Sequence, residues 1–404
     1  MLSYSARGAH VVRAVTLAAL LGACREPVAF ADRATSATNV PVDFPQAGAT
    51  VAWNQLARDL VVKYGTNVPA SIRMFALLSV AQYNAIARAE NASSGPLHPG
   101  EKGAIAGASA AVLSYIYPLE TSSLESLVDQ QGASPGTPGS VRENFSAGEA
   151  IGRAVAAGLI ARASTDRFFE PFTGTVPVCD SCWVAASGTL PGFATLGQAK
   201  PYFLTSGAQF RPAPPPAFST PAFAAALAEV RQIADTRTTE QDSIAKFWAL
   251  PVGTIGAQGF FNRLASELAV SFRRSERETA HAFALLNMAA FDAIVASHEA
   301  KYFYWLLRPS QADPLISRAI GLPNFPAYPS NHSALAASAA TVLGAIFPSE
   351  RRQLDALAEE GAISRLYGGI HYRFDTEAGL SLGRKVAAWV LAHDVVGHEP
   401  FELP

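Results

Sequence analysis

The stretch Ser364-Arg365-Leu366-Tyr367-Gly368-Gly369-Ile370-His371-Tyr372-Arg373-Phe374-Asp375 sets a cation, two adjacent glycines, a histidine and a carboxylate within twelve residues. Adjacent glycines let the backbone turn or come close to a ligand. His371 and Asp375 are four apart, so on a helix they share one face. There a carboxylate accepts the ring N–H and fixes the tautomer, which leaves the other nitrogen free to attack or to ligate. Arg365 stands six residues before His371, across the glycine turn. A fixed guanidinium in that position suits a phosphate-like anion better than a metal cation.

Upstream, Lys301 and Arg308 are seven apart, which brings them within about 20° of each other around a helix. The spacing predicts that both lie near the end of one long helix over 275–307. That helix should stop at Arg308-Pro309, because the residue before a proline is pushed out of helical geometry. Prolines at 309, 314, 323, 326 and 329 then stiffen a loop that delivers Tyr328-Pro329-Ser330-Asn331-His332 and an Ala-rich helix over 333–347. Ser330 is a natural N-cap, and the first N–H groups of a helix have no partner inside it, so they can hold an anion. His332 falls in the same first turn. Taken singly, each piece has a plain structural explanation: a solvated basic pair, a cap, a core histidine. The weight comes from their occurring together, in that order, within one stretch.

Composition sets the frame. The chain has 404 residues, 49% hydrophobic and 16% charged, enough to bury a sizeable core and too apolar for wholesale disorder. The formal net charge of −2 lacks the basic excess of a nucleic-acid binder. Any anion must therefore be drawn by local charge. Arg7, His10 and Arg13 precede the apolar run 14–22, which has the length of a signal-peptide core and is too short for a membrane span. Residues 1–23 are thus expected to be a signal peptide and 24–50 a polar tether. The sequence Leu21-Gly22-Ala23-Cys24 resembles a bacterial lipoprotein box, which implies lipidation at Cys24. Cleavage after Ala29-Phe30-Ala31 is the competing site. In the oxidising compartment this implies, Cys179 and Cys182 are expected to form a small disulfide ring, since no second cysteine pair exists to complete a zinc site.

In chain order, apolar spacings of three and four predict helices over 51–62, 70–89, 103–117, 124–131 and 144–163. Gly148 and Gly152, four apart, should let a neighbouring helix approach closely. Residues 168–217 break the pattern with aromatics, glycines and prolines. They are read as an ordered cover over the bundle, with a plain crossover between halves as the competing reading. Helices resume over 221–236, 239–250 and 260–272. No strand-like alternation appears, so the fold expected is all-α: two packed helical bundles, 51–235 and 236–404, forming one large domain with the oxyanion site in the second. His298, three before Lys301, reads as a surface histidine, with a place lining the entrance as the competing reading. Asp292 and Asn287 on the same helix receive no role.

The conjunction of Lys301-x6-Arg308-Pro309, Pro329-Ser330-x-His332 and Ser364-Arg365-x5-His371-x3-Asp375 resembles the superfamily of vanadium-dependent haloperoxidases and type 2 phosphatidic acid phosphatases. The runs 325–330 and 363–375 look like the chloroperoxidase versions. Phe325 matches a phenylalanine of chloroperoxidases where bromoperoxidases tend to carry histidine. One departure is Asn331, where the pattern usually has glycine. The resemblance implies that Lys301, Arg308 and Arg365 neutralise a bound phosphate or vanadate, and that Ser330 and the Asn331 N–H bind its equatorial oxygens. His371 would bond the central atom, the vanadium of vanadate, and His332 would serve as general acid and base, with Asp375 behind His371. The activity implied is halide oxidation by hydrogen peroxide with vanadate as cofactor. The alternative is a phosphomonoesterase working through a phosphohistidine, which needs no cofactor. Both act on small molecules in the periplasm, with a possible membrane tether at Cys24. Halide, ester and oligomeric state are not legible.

Overall fold

The computed structural model describes residues 48–92, 99–133, 144–395 and 399–402. The expected signal peptide, Cys24 and nearly all of the expected tether lie outside the described residues. Thirteen α-helices and no sheet are found among the described residues, as an all-α reading requires. The first half comprises α1 (Ala49–Lys63), α2 (Val68–Asn91), α3 (Glu101–Ile116), α4 (Thr121–Ala133) and α5 (Phe145–Ala163). The α6 helix (Pro221–Thr236) and α7 (Thr239–Phe247) lead into α8 (Gly256–Ser271) and the long α9 (Glu276–Tyr304). Next come the single turn α10 (Pro309–Ala312), α11 (Asn331–Ile346), α12 (Arg351–Tyr367) and α13 (Arg373–Ala392). One apolar core runs from Trp53 to Phe401 through both halves.

The axis of this core is α9. A capping box, Ser275 with Glu278, satisfies its first N–H groups. Its residues 279–301 are buried almost without interruption. A helix apolar on every side belongs inside a large protein or a membrane, and 94% of its most apolar window is covered by protein here. Helices α3 and α5 meet at backbone distance. A Cβ on Gly148 or Gly152 would sit 2.1 Å from the carbonyl oxygen of Gly100 or Ala104, so the close approach read from the glycine spacing is realised.

Three sequence expectations need correction. The long helix ends at Tyr304, not 307, because Trp305 takes the left-handed conformation at φ 52°. Helix α11 starts at Asn331, with Ser330 as its N-cap accepting from the Ser333 N–H. Helices α12 and α13, whose polar faces blur the apolar period, were not read as elements although they carry Arg365 and Asp375.

Residues 168–217 contain no α-helix among them, only the short turn Leu196–Gln198, yet they are firmly packed. The N–H groups of Tyr202, Phe203 and Leu204 donate to the buried Asp292 carboxylate at 2.7, 2.8 and 3.0 Å. Burial pushes the Asp292 pKa up to about 6, and these three donors pull against that rise. Two turns further along α9, Arg211 pairs with Glu299. Asp292, unassigned from sequence, thus fastens the cover to α9. Asn287 belongs to a buried amide network with Asn262, Gln258 and Ser79.

Candidate active site

Three segments converge. The end of α9 brings Lys301, the N-terminus of α11 brings Ser330, Asn331 and His332, and the α12–α13 turn brings Arg365, His371 and Asp375. Arg308 reaches the same place from beyond the left-handed Trp305 turn, as N-cap of α10, not by helical periodicity. The Lys301 and Arg308 charges each stand 5.2 Å from the Phe325 ring centroid, within reach of a cation–π contact. Lys301, Arg308, Arg365, Ser330, His371 and Asp375 are all buried.

His371 is not on a helix with Asp375. It precedes α13, and Asp375 reaches back from the first turn of that helix. Asp375 Oδ2 takes the His371 Nδ1 contact at 2.9 Å and the Tyr372 N–H at 3.0 Å. On the far side of the ring, Arg308 meets His371 Nε2 at 2.9 Å. A guanidinium only donates, so Nε2 is an acceptor and Nδ1 carries the proton. The ring is thereby neutral, and its Nε2 lone pair accepts from Arg308, which would have to give up that contact for the nitrogen to bond a ligand. Burial, then the charges of Arg308, Lys301 and Arg365, hold its pKa well below the ordinary histidine value. Asp375 is pushed up to about 7 by the same burial.

Lys301 spends its donors on carbonyls: Pro326, Ala327 and Pro329 at 2.8, 2.7 and 2.6 Å. Three acceptors call for three hydrogens, the ammonium form, although burial and the Arg308 charge lower its pKa. Lys301 therefore clamps the 326–329 loop and supplies charge, and would have to release a carbonyl to donate to a ligand. Arg308 donates to the Phe325 and Ile370 carbonyls at 3.0 and 2.8 Å, while its NH2 is buried without a partner. Arg365 contacts Ser364 Oγ at 2.9 Å and the Ala245 carbonyl at 3.3 Å. Burial brings the Arg308 and Arg365 pKa down to about 10 and about 9. The hydrogen-bond partners of all three cations are carbonyls, a hydroxyl and an imidazole, with no carboxylate among them. Burying charge without pairing is costly, and an anion in the cup would repay that cost. The donor set thus fits an oxyanion. No group of three His, Cys, Asp or Glu side chains able to hold a metal cation occurs among the described residues.

His332 faces the same space. Its Nε2 is buried without a partner, while a hydrogen bond to the Trp248 backbone holds the ring. Burial, then the Arg365 charge, lowers its pKa to about 3. His298 is fully buried, contrary to the surface position expected, and its pKa also falls to about 3, chiefly by burial. His332, His371, Arg365 and Asn331 form one end of a cavity of about 470 Å³ whose walls are largely apolar, among them Phe193, Leu250, Val252, Ile294, Leu322 and Phe325. Phe193 comes from the 168–217 cover, so part of that segment walls the mouth. The 249–252 loop was not foreseen as a wall.

These buried neutral histidines set an acid limit. Near pH 5 an unfolded chain would protonate His298, His332 and His371 while the folded one would not. Asp375 and Asp292 act oppositely, being protonated at that pH only when folded. The folded state then binds about one fewer proton, and stability should fall as pH drops from about 6.5 toward 3, by roughly 1.4 kcal/mol per pH unit. The thermal midpoint should be clearly lower at pH 4.5 than at pH 7; equal midpoints would refute neutral burial of the site histidines.

Cys179 and Cys182 are joined, and the ring lies against the segment that carries Arg308. Trp183 N–H donates to the Trp305 carbonyl at 2.6 Å, and Leu307 N–H to the Ser181 carbonyl at 3.0 Å. Gln311, whose side chain accepts from the Arg308 N–H at 3.0 Å, donates to the Val184 carbonyl at 2.6 Å. Replacing both cysteines by alanine should loosen this strap and weaken orthovanadate or phosphate binding several-fold with the helical content unchanged. Calorimetric titration with far-UV dichroism as control checks it; unchanged affinity would show that the strap does not position Arg308.

The family model for the PAP2 superfamily matches residues 281–395, which span all three converging segments. That match covers little more than a quarter of the chain, and the fold is the one seen in structures of vanadium-dependent haloperoxidases. A bacterial vanadium-dependent iodoperoxidase superposes with a TM-score of 0.71 at 24% identity, over 85% of this chain and 95% of that one. A holo-type bacterial vanadium-dependent chloroperoxidase gives 0.65 at 15% identity, over 81% and 93%. At these identities the likeness defines the fold alone. No curated protein sequence matches the chain.

Proposed function

We propose that this chain is an exported, vanadate-dependent haloperoxidase, anchored through a lipidated Cys24. The observation that carries the reading is His371: a neutral imidazole with its proton held at Nδ1 by Asp375 and its Nε2 lone pair turned toward Arg308, inside a cup of three buried cations. That is what bonding to the centre of an oxyanion requires. Vanadate bound there would supply activation of hydrogen peroxide toward halide. Arg308, with its unpartnered NH2, and Arg365 would hold the oxyanion's oxygens together with Ser330 and the first N–H groups of α11. Lys301 would add charge through the loop it clamps. His332, with its unpartnered Nε2, would take and return protons. Asp375 keeps the His371 tautomer correct throughout. The superposition with haloperoxidases over more than four-fifths of the chain supports the fold on which this reading rests.

The PAP2 match keeps a second reading in play. A phosphate ester would use the same cup, with His371 as nucleophile and His332 protonating the leaving alcohol. Purified protein should oxidise iodide or bromide with peroxide only after orthovanadate is added. Release of phosphate from a generic monoester, without vanadate-dependent halide oxidation, would replace the first reading by the second.

A further inference from the structure

The C-terminal end of α7 carries none of the motif residues and lies outside residues 281–395, which the family model matches, yet it touches two of the residues in the cup. The last carbonyls of a helix have no partner inside it and lie at the negative end of its dipole. The Ala245 carbonyl accepts from Arg365 at 3.3 Å, and the backbone of the cap residue Trp248 bonds His332. Trp248 N–H already donates to the Ile244 carbonyl at 3.1 Å, so its carbonyl is the group that His332 meets. His332 Nε2 has no partner, so the donor is Nδ1. A neutral carbonyl thus sets for His332 the same tautomer that a carboxylate sets for His371, with the lone pair on Nε2.

That carbonyl orients the ring only while its turn stays in place. Two residues on, Leu250 takes the left-handed region at φ 38°, a conformation that a residue other than glycine keeps only where its surroundings enforce it. The Trp248 indole anchors the turn. It is fully buried and packs edge-on to Phe247 and Phe260, with ring centroids at 5.4 and 5.3 Å. It also lies against Gly361 of α12, where an added Cβ would stand 3.4 Å from it. Its Nε1 donates to Glu360 Oε1 at 3.0 Å. Glu360 precedes Arg365 by five residues on the same helix. A single side chain therefore ties the turn behind His332 to the helix that carries Arg365.

We propose that Trp248, pinned by Glu360, is a positioning residue: it fixes the carbonyl that orients His332 and sets its tautomer. The proposal rests on the oxyanion reading of the cup, in which His332 moves the proton. Trp248 is not among the residues that line the cavity and acts only through His332.

Two variants break the pin from its two ends. Trp248→Phe keeps most of the buried ring and removes the indole N–H, and Glu360→Ala removes the acceptor at a half-buried position. In both, kcat should fall about ten- to hundredfold, the usual cost of slightly misplacing an acid–base group. KM and orthovanadate affinity should stay within about threefold of the wild type. Glu360→Gln keeps an acceptor for the indole and should restore kcat. The turnover followed is halide oxidation or phosphate release, whichever the wild type performs. Nitrogen NMR of protein labelled with 15N-histidine reads the ring directly, the His332 signals being identified by their loss in His332→Gln. The wild type should show a protonated Nδ1 and a bare Nε2 at His332, and Trp248→Phe a mixture of the two tautomers. Unchanged kcat in Trp248→Phe, equal losses in Glu360→Ala and Glu360→Gln, or a wild-type His332 with its proton on Nε2 would each overturn the proposal. If Trp248→Phe does not fold, the comparison of Glu360→Ala with Glu360→Gln decides. A wild type that takes up no orthovanadate would refute the oxyanion reading alone, and the imidazole spectra would still decide whether Trp248 sets the ring.

Discussion

Replacing His371 by alanine is expected to abolish turnover, with a loss of at least about 10³-fold whichever reaction the cup performs. In either reading this ring makes the bond to the central atom, and no neighbour is placed to substitute. His332 has its own unpartnered Nε2, but its ring is held by the Trp248 backbone and not by a carboxylate, and Arg308 only donates. Asp375→Asn should be nearly as damaging for a different reason. The amide oxygen would take over both contacts of Oδ2, from His371 Nδ1 and from the Tyr372 N–H, so the tautomer stays but the negative charge behind the ring is lost. The NH2 would fall where Oδ1 is buried without a partner. The Asp375 backbone would still hold Ser330, whose N–H donates to its carbonyl at 2.9 Å. The variant should therefore stay folded and lose activity. Steady-state kinetics beside a thermal melt checks both: an active His371→Ala enzyme would remove that residue from the mechanism, and an active Asp375→Asn enzyme would show that the carboxylate charge behind the ring is not needed.

The second large effect is at a glycine that touches no ligand. Gly379 in α13 faces the first turn of α11, and a Cβ there would lie 2.4 Å from the Ser330 carbonyl oxygen and 2.8 Å from Ser333 Cβ. Neither neighbour is the far end of a flexible side chain, so Gly379→Ala must push α11 and α13 apart. A displacement of this kind costs about 1–3 kcal/mol, and it moves the residues that cap the cup. Both the thermal midpoint and the affinity for oxyanion should fall. Gly158→Ala provides the contrast, because nothing lies within 4 Å of its added Cβ. In a helix interior that exchange should stabilise by up to about 1 kcal/mol. If the two variants melted alike, the close packing of α11 on α13 would not be what positions Ser330.

The residues that meet in the cup are ones the sequence marks. Lys301, Arg308, Ser330, His332, Arg365, His371 and Asp375 stand out because each is a polar group set at a proline, glycine or cap signal inside an otherwise apolar chain. What escapes sequence reasoning is how they are brought together. Helical periodicity placed Arg308 beside Lys301 on one helix, whereas the chain leaves the helix at Trp305 and returns. A left-handed tryptophan has no local signature, since surrounding rings such as Tyr302 and Trp183 hold it. His298 looked like a surface residue because nothing nearby in sequence reports the Phe193 ring more than a hundred residues away. Asp292 was mute for the same reason: its three donors come from the irregular 168–217 segment. Local pattern reports local structure, and contacts between distant segments are settled by packing.

The cup itself is the central claim: three buried cations and a lone-pair-bearing imidazole that together demand an oxyanion. The most direct measurement is a calorimetric titration of the purified protein with orthovanadate near neutral pH, repeated with His371→Ala and in the presence of phosphate. The account requires saturable binding of one equivalent, competition by phosphate and a large loss of affinity in the variant. A protein that binds no orthovanadate, or a His371→Ala variant that binds it as tightly as the wild type, would contradict it.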